Sequence, residues 1–246
     1  MKRVYQGGAF LLFFASASTM AATTLGLGAM VSSSPYDYKD KTTYSPFPVL
    51  SYDNDYFYID SYELGVNLFK NETQHLALIG LYDTHEFSPK DAVKSLSKVS
   101  KRKASLYAGL RYNAATIVGN FNTAITHDTL GNSKGLKIDS AWSYPWTIGA
   151  WSLIPEVGVE WNNKKQNDYY YGVDRDEALK SGVAEYGSNS SFTPYTNITM
   201  AYSFNENWTG AVFAGTQFLP GEQRNSPLAS GKKVLYSAGA AVSYTF

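Results

Sequence analysis

The segment QNDYYYGVDRDEALKSG, residues Gln166–Gly182, concentrates side chains that could do chemistry: three consecutive tyrosines and four acidic residues. Such a set could form an acid–base site, a binding loop, or only a long connection between strands. Asp174 and Glu177 have the spacing of a capping box, and Gly182 suits the position just after a helix. This spacing predicts a helix over Arg175–Ser181. The role of the tyrosines depends on the elements that position them.

The spaced motifs of common catalytic sites are missing from the sequence. It contains no Gly-x-Ser-x-Gly elbow, no phosphate-binding glycine loop, no His-Glu-x-x-His pair and no cysteine. The adjacent His127 and Asp128 could act as an acid–base pair, but their position at a predicted strand end favours capping of a turn. We therefore predict that the protein is not an enzyme and has no catalytic residues, no metal site and no cofactor.

Glu156 and Glu160 are the other acidic pair whose spacing can be tested. They share one face of a predicted strand at a separation of roughly 13 Å, because each residue of a strand advances ~3.3 Å. Glycoside hydrolysis needs two carboxylates within ~5–9.5 Å, so this pair does not fit. Salt bridges inside the fold, with partners such as Arg111 or Lys137, explain the two acids better.

Composition and the N-terminus indicate an exported protein. The 246 residues carry 21 basic and 21 acidic side chains, which gives no sign of nucleic-acid binding. Lys2 and Arg3 precede the apolar run Ala9–Ala15, and small residues follow, as in a cleaved secretory signal peptide. We place the signal peptide at residues 1–21 and a single mature domain at residues 22–246, with cleavage after Ala22 or Ala17 as the alternatives. No later segment is long and apolar enough for a spanning helix, so a membrane-spanning mature domain would have to be a β-barrel.

Apolar and polar residues alternate with a period of two along much of the mature chain. In the C-terminal stretch, Val242 and Tyr244 share one face, whereas Ser243 and Thr245 share the other. Further alternating segments run for 9 to 14 residues and end repeatedly in aromatic residues, as membrane-spanning strands do. The fold class predicted from this pattern is all-β, a transmembrane antiparallel β-barrel.

The number of strands depends on one segment, Phe47–Phe69. If this segment holds three strands the barrel has twelve, which we favour; if it holds two, the barrel has ten. Long connections are predicted at Ser88–Arg102 and Gln217–Lys233, and short turns at Asn113–Thr116, Pro145–Gly149 and Asn205–Asn207. The stretch Lys90–Lys103 carries six basic residues and one acid, so it could contact lipopolysaccharide phosphates.

The string NDYYYGVDRDEALKSGVAEY, from Asn167 to Tyr186, resembles the signature loop of the MipA/OmpV family of Gram-negative outer-membrane proteins. That loop has a tyrosine run, Gly-Val, a short helix containing Glu, Ser-Gly and a further Tyr. Leu25–Asp40, His127–Gly135 and Asn225–Leu228 resemble other parts of the family. The binding residues that the resemblance implies are Tyr169, Tyr170, Tyr171, Gly172, Glu177, Ser181 and Gly182. We expect the tyrosines in an extended segment, with one face packed on the strand ends and the other available.

The resemblance implies a non-enzymatic scaffold located in the cell outer membrane. Its partners would be a lytic transglycosylase and a bifunctional penicillin-binding protein of cell-wall growth, together with outer-membrane lipid and lipopolysaccharide. The alternative is a small-solute channel, since barrels of ten to twelve strands can be filled or open. Bulky residues predicted inside, such as Tyr195 and Phe213, favour a filled interior. The loop with the tyrosine run, Asn167 to Tyr186, is called the tyrosine loop and is predicted to lie outside the cell. Cell-wall enzymes, in contrast, would meet the short turns.

Overall fold

The computed structural model describes residues 22–246, so the predicted signal peptide lies outside the described residues. The alternating segments form a single antiparallel sheet, and the helices lie in the connections between strands. The strands are β1 (Ala22–Ser33), β2 (Thr42–Asp53), β3 (Phe57–Asp60), β4 (Glu63–Lys70), β5 (Gln74–Asp83), β6 (Ser105–Thr116), β7 (Gly119–Asp128), β8 (Leu136–Ser143), β9 (Trp146–Ile148), β10 (Trp151–Asn162), β11 (Ser191–Ser203), β12 (Trp208–Phe218) and β13 (Val234–Thr245). The helices are α1 (Lys164–Tyr171), α2 (Arg175–Ser181), α3 (Gly221–Arg224) and a 3-10 turn at Lys94–Leu96.

The sheet closes on itself as a barrel of twelve strands. Strand β1 pairs with β13, and β10 pairs with both β8 and β11, so no strand is left at the end of the sheet. Strands β8 and β9 pair one after the other with β10 and are two halves of one interrupted strand. The segment Phe47–Phe69 contains parts of three strands. The prediction of twelve strands is therefore confirmed.

The two faces of the wall have opposite polarity. Apolar side chains cover the outer surface, and exposed examples occur around the whole circumference: Leu27, Leu64, Leu78, Leu110, Ile125, Val157, Ile198, Val212 and Val242. The residues between these outward-facing positions point into the barrel, and examples such as Leu235, Ala241 and Ser243 are buried there. A continuous apolar band of this kind is typical of a surface that contacts the hydrocarbon core of a membrane. The predicted transmembrane β-barrel is confirmed.

The connections are long at one end of the barrel and short at the other. We call them the long-loop end, with loops 34–41, 84–104, 129–135, 163–190 and 219–233, and the short-turn end. The turn predicted at Asn205–Asn207 is confirmed. Those predicted at Asn113–Thr116 and Pro145–Gly149 are wrong, because the strands run further. Gly119, at φ +119°, allows the chain to reverse after Thr116, and Trp146–Ile148 pairs with β10 as β9.

One part of the wall is incomplete. The hairpin β3–β4 is short, and β3 pairs with β2 only from Ser51 to Asp53. Among residues 22–246, the stretch Thr42–Val49 therefore has β1 as its sole strand partner. The Leu50 carbonyl points to this open edge, where it accepts a hydrogen bond from the Ser61 N–H at 2.6 Å. Since the strand repeats every two residues, Pro46 and Pro48 turn toward the same edge, where their missing N–H groups leave no donor.

Candidate functional site

The tyrosine run lies in a helix that the sequence analysis missed. Helix α1 begins after Asn163, whose side chain accepts a hydrogen bond from the Gln166 N–H at 3.0 Å. The spacing Asn-x-x-Gln was a usable start signal for this helix. The expectation that Tyr169–Tyr171 form an extended segment is wrong, because the capped helix carries all three in its last turn.

Two of the three tyrosines are buried under the loops. Tyr170 is 2 % exposed, and its hydroxyl donates to the Lys103 carbonyl at 3.1 Å. Tyr171 stacks on Tyr36 with ring centroids 5.6 Å apart. Burial raises the pKa of the Tyr36, Tyr170 and Tyr171 hydroxyls above their ordinary value, so all three remain neutral at physiological pH. Tyr169 accepts the Lys103 N–H at 2.7 Å.

Glu177 connects two of the long loops. Its carboxylate accepts two hydrogen bonds from the Arg102 guanidinium, at 2.6 and 3.1 Å, and one from the Ser100 N–H at 2.7 Å. Arg102 also donates to the Gly172 carbonyl at 2.8 Å. Burial alone would raise the pKa of Glu177, but the donors from Arg102 and Ser100 hold that pKa below its ordinary value.

The predicted helix over Arg175–Ser181 is confirmed as α2. Asp174 caps it by accepting the Glu177 N–H at 2.8 Å, and Gly182 ends it in the left-handed region at φ +76°. The Ser181 hydroxyl donates to the Glu177 carbonyl at 2.6 Å. Ser181 and Gly182 therefore shape the end of the helix, while Gly172 and Glu177 hold loop 163–190 against loop 84–104.

Four long loops meet in one apolar cluster, which we call the loop cap. Its buried residues are Tyr36, Tyr38, Phe87, Ala92, Leu96, Val99, Tyr170, Tyr171, Val173 and Leu228. His85 lies at its inner side, with its Nε2 atom 2.7 Å from the Tyr36 hydroxyl. Burial lowers the pKa of His85, which keeps the ring neutral. The sequence analysis missed Tyr36, His85 and Arg102, since their partners lie far away in the chain and no local spacing marks them.

His127 and Asp128 do not form a pair. They are consecutive in β7 and therefore point to opposite faces of the wall. The Asp128 carboxylate faces inward and accepts the N–H groups of Ser133 and Lys134, at 2.6 and 2.9 Å. It also accepts a hydrogen bond from the Ser105 hydroxyl. Asp128 thus fixes loop 129–135, in agreement with the predicted turn-capping role.

A cavity of about 350 Å³, lined by many polar and charged residues, lies in the barrel under the loop cap. Arg111 forms a bidentate ion pair with Glu63, at 2.8 and 2.6 Å. Lys137 lies between Asp83 and Glu160, at 2.8 and 3.0 Å. The predicted salt bridge between Glu160 and Lys137 is confirmed, whereas Glu156 accepts a hydrogen bond from Asn197 instead.

The opposite half of the interior is filled with apolar side chains. Met30, Phe47, Val49, Phe213 and Ala241 pack together there. The prediction of an interior filled by bulky residues is correct for Phe213 and for this half. It is wrong near Arg111 and Tyr195, because these two side chains line the cavity and do not fill it.

Comparison with known proteins agrees with this architecture. A family model described as "MltA-interacting protein MipA" matches residues 25–246. The chain is 34 % identical over 206 residues to MltA-interacting protein of Escherichia coli K12, covering 83 % of each chain. It is 30 % identical over 220 residues to the putative outer membrane protein YiaT of the same organism, covering 89 % of each.

A solved structure shows the same fold at low sequence identity. The COG4313 outer membrane channel from Pseudomonas putida F1 superposes with a TM-score of 0.50 at 9 % identity, covering 93 % of this chain and 97 % of the channel. Together with the closed twelve-stranded barrel and the apolar outer band, the relatives establish an outer-membrane protein. The chain belongs to the MltA-interacting protein (MipA) family of outer-membrane β-barrels.

Proposed function

We propose that the protein is an outer-membrane scaffold that brings together peptidoglycan-remodelling enzymes, a lytic transglycosylase and a bifunctional penicillin-binding protein. The observation that carries this proposal is its 34 % identity, over 83 % of both chains, to a protein named for its interaction with MltA. The loop cap and the apolar half of the interior support it, because they obstruct the path that a channel would need.

The short-turn end is the surface on which a periplasmic partner would bind, since short turns face the periplasm in barrels of this kind. Its tips expose Tyr56 and Ile117, at 78 % and 96 % of their surface. Acidic residues Asp55, Glu72 and Glu206 lie in the same set of turns. A partner with an apolar surface surrounded by basic residues would complement this end.

The tyrosine loop has an indirect role in this proposal. Tyr170, Gly172 and Glu177 lie at the long-loop end, across the membrane from any periplasmic enzyme. Their contacts hold the loop cap together, so the signature residues would maintain the fold of the scaffold. Outer-membrane lipid contacts the apolar band, and lipopolysaccharide is a proposed neighbour of the long loops.

An affinity pull-down from solubilised envelopes tests the scaffold. The mature barrel used as bait should recover a membrane-bound lytic transglycosylase and a bifunctional penicillin-binding protein. Combined Tyr56→Ser and Ile117→Ser replacements at the short-turn end should lower both recoveries at least fivefold. Leu179→Ser is the matched control, because Leu179 is 77 % exposed at the opposite end. Failure of the folded bait to recover either enzyme, or loss with Leu179→Ser alone, would contradict the proposal.

The channel is kept as a second candidate because the cavity extends toward the short-turn end. Conductance across planar bilayers separates the two functions. With the loop cap closed, the wild-type barrel should show no stepwise current above that of a protein-free bilayer. Discrete steps from the wild-type protein would favour a channel.

A further inference from the structure

The cavity beneath the loop cap has an excess of acidic side chains. Its lining includes the carboxylates of Asp60, Glu63, Asp83, Asp139, Glu156 and Glu160. Arg111 and Lys137 are the lysine and arginine residues that line it, and His75 and His85 line it as well. The arginine and the lysine are held in ion pairs with Glu63, Asp83 and Glu160, so the remaining three acids have no direct ion pair with them.

Three of the acids have no cationic partner among residues 22–246. Asp139 accepts a hydrogen bond from the Tyr195 hydroxyl at 3.3 Å, and Glu156 accepts one from the Asn197 side chain at 2.8 Å. Asp60 also has no ion pair within this part of the chain. The cavity therefore offers carboxyl groups that are not engaged in ion pairs to whatever occupies it.

Asn162 supplies an independent sign of a missing donor. Its side chain is 4 % exposed and lines the same cavity, facing the same way as Glu156 and Glu160 on β10. The Asn162 Nδ2 group donates to Glu160 at 2.7 Å, but its Oδ1 atom has no hydrogen-bond partner among the described residues. A buried acceptor without a donor is costly, and a ligand N–H group would satisfy it.

We propose that this cavity is a binding site for a small organic cation with more than one ammonium group. One ammonium group would donate to Asn162 and to Asp139, which lies opposite Glu160 in the pairing of β8 with β10, and another would donate to Glu156. Glu156 and Glu160 lie roughly 13 Å apart along β10, so an extended chain with separated ammonium groups matches them better than a compact ion. The described residues contain no group of three His, Asp or Glu side chains that could hold a metal ion.

The position of the cavity indicates how the ligand enters. At the long-loop end the cavity is lined by Gln166 and Tyr171, which belong to loop 163–190. Toward the short-turn end the cavity is lined by Asn113, Asn120 and Ser143, which lie near the ends of their strands. Its volume, about 350 Å³, falls within the range of small-molecule sites. A periplasmic cation would enter from the short-turn end.

Isothermal titration of the folded mature barrel with spermidine tests the site. Asp139→Asn combined with Glu156→Gln keeps the side-chain shapes and removes two charges, so affinity should fall at least tenfold. Asn162→Leu removes the unpartnered acceptor without changing charge and should weaken binding several-fold. Glu206→Gln is the matched control, because it removes an acid from a short turn outside the cavity. Heat-modifiability in gels verifies that each variant is folded.

Three results would overturn the proposal. The first is the absence of spermidine binding to the folded wild-type barrel. The second is equal affinity of spermidine for the wild type and for the Asp139→Asn, Glu156→Gln variant. Any binding would then involve acidic residues outside the cavity. The third is binding of glucose or succinate, as neutral and anionic probes, as tightly as spermidine.

Discussion

At the scale of single side chains, Glu177, one of the predicted binding residues, forms a buried ion pair with Arg102. We expect Glu177→Gln to weaken the attachment of loop 163–190 to loop 84–104, because it removes a charged acceptor from a buried guanidinium. The loss is roughly 1.5–3 kcal/mol for hydrogen bonds to a charged group. Limited trypsin digestion at neutral pH should then cut the loops at least tenfold faster.

Asp176→Asn provides the matched control for that experiment, since Asp176 is an exposed acid of the same helix. The wild-type contact should also depend on pH. The folded pKa of Glu177 lies below its ordinary value of 4.5, so the stabilisation is complete above 4.5 and disappears as pH falls through the folded pKa. Equal digestion of wild type and Glu177→Gln at neutral pH would contradict the assigned role.

His85 gives the loop cap a second response to acid, at a higher pH. Its folded pKa is lowered from 6.5 by burial, so the folded state binds fewer protons than the unfolded state below pH 6.5. Stability of the cap therefore falls as pH drops from 6.5. Trypsin cleavage of the loops, measured at each pH relative to cleavage of the unfolded protein, should accelerate between pH 7.5 and 5.5 in the wild type. His85→Gln, which keeps a hydrogen-bonding group, should show a flat profile over this interval.

The sequence revealed only part of this residue-scale chemistry. Asp174, Glu177 and Gly182 were recognised because caps depend on spacings of a few residues. The salt bridge from Glu160 to Lys137 was anticipated because both residues were assigned to inward faces. Arg102 and His85 could not be assigned, since their contacts depend on how distant loops meet above the barrel.

At the scale of elements, the open edge of β2 can be tested by replacing the two prolines that lie on it. Replacing Pro46 and Pro48 by Val restores two outward N–H groups on a flat, unpaired edge. We expect the double variant to form dimers by edge-to-edge pairing, visible as a doubled mass on native gels after crosslinking in membranes. The wild type should remain monomeric in the same assay.

Pro35 provides the control for that variant. It lies in loop 34–41 rather than on the open edge, so Pro35→Val should leave the mass unchanged. Dimers in this control, or none in the double variant, would show that the prolines do not protect the edge.

The accuracy of the predicted elements followed the strength of the local pattern. Long alternating segments such as Val234–Thr245 were assigned to the correct faces, because a period of two is unambiguous over twelve residues. The ends of β6 and β9 were misplaced, since turn-forming residues there lie inside strands. Helix α1 was overlooked because its tyrosines have no helical preference strong enough to reveal it.

The whole molecule has a strongly asymmetric charge distribution. In residues 22–246, the strands and short turns carry basic side chains only at Lys70, Arg111 and Lys137. Every other basic residue in this part of the chain lies in the long loops. Acids predominate in the strands and short turns, so the long-loop end is positive relative to the rest of the barrel.

This asymmetry predicts salt-sensitive contact with lipopolysaccharide phosphates. Lys94 and Lys98 are exposed in loop 84–104, so Lys94→Glu with Lys98→Glu should reduce the affinity of the purified barrel for labelled lipopolysaccharide several-fold. Raising the salt concentration should also lower the affinity of the wild-type barrel for lipopolysaccharide. Lys70→Glu, at the other end of the barrel, should change little. A comparable loss with Lys70→Glu would argue against contact through this loop.

The short hairpin β3–β4 also determines where the barrel is mechanically weakest. The first and last strands remain paired from Thr24 to Ser32, so the junction of the chain ends is well secured. Strands β2 and β3 share register only over Ser51–Asp53. Under a pulling force, fewer hydrogen bonds resist separation there than at the closing seam. A barrel stretched in a force microscope would therefore rupture beside β3, in the interior of the sequence, before its two ends came apart.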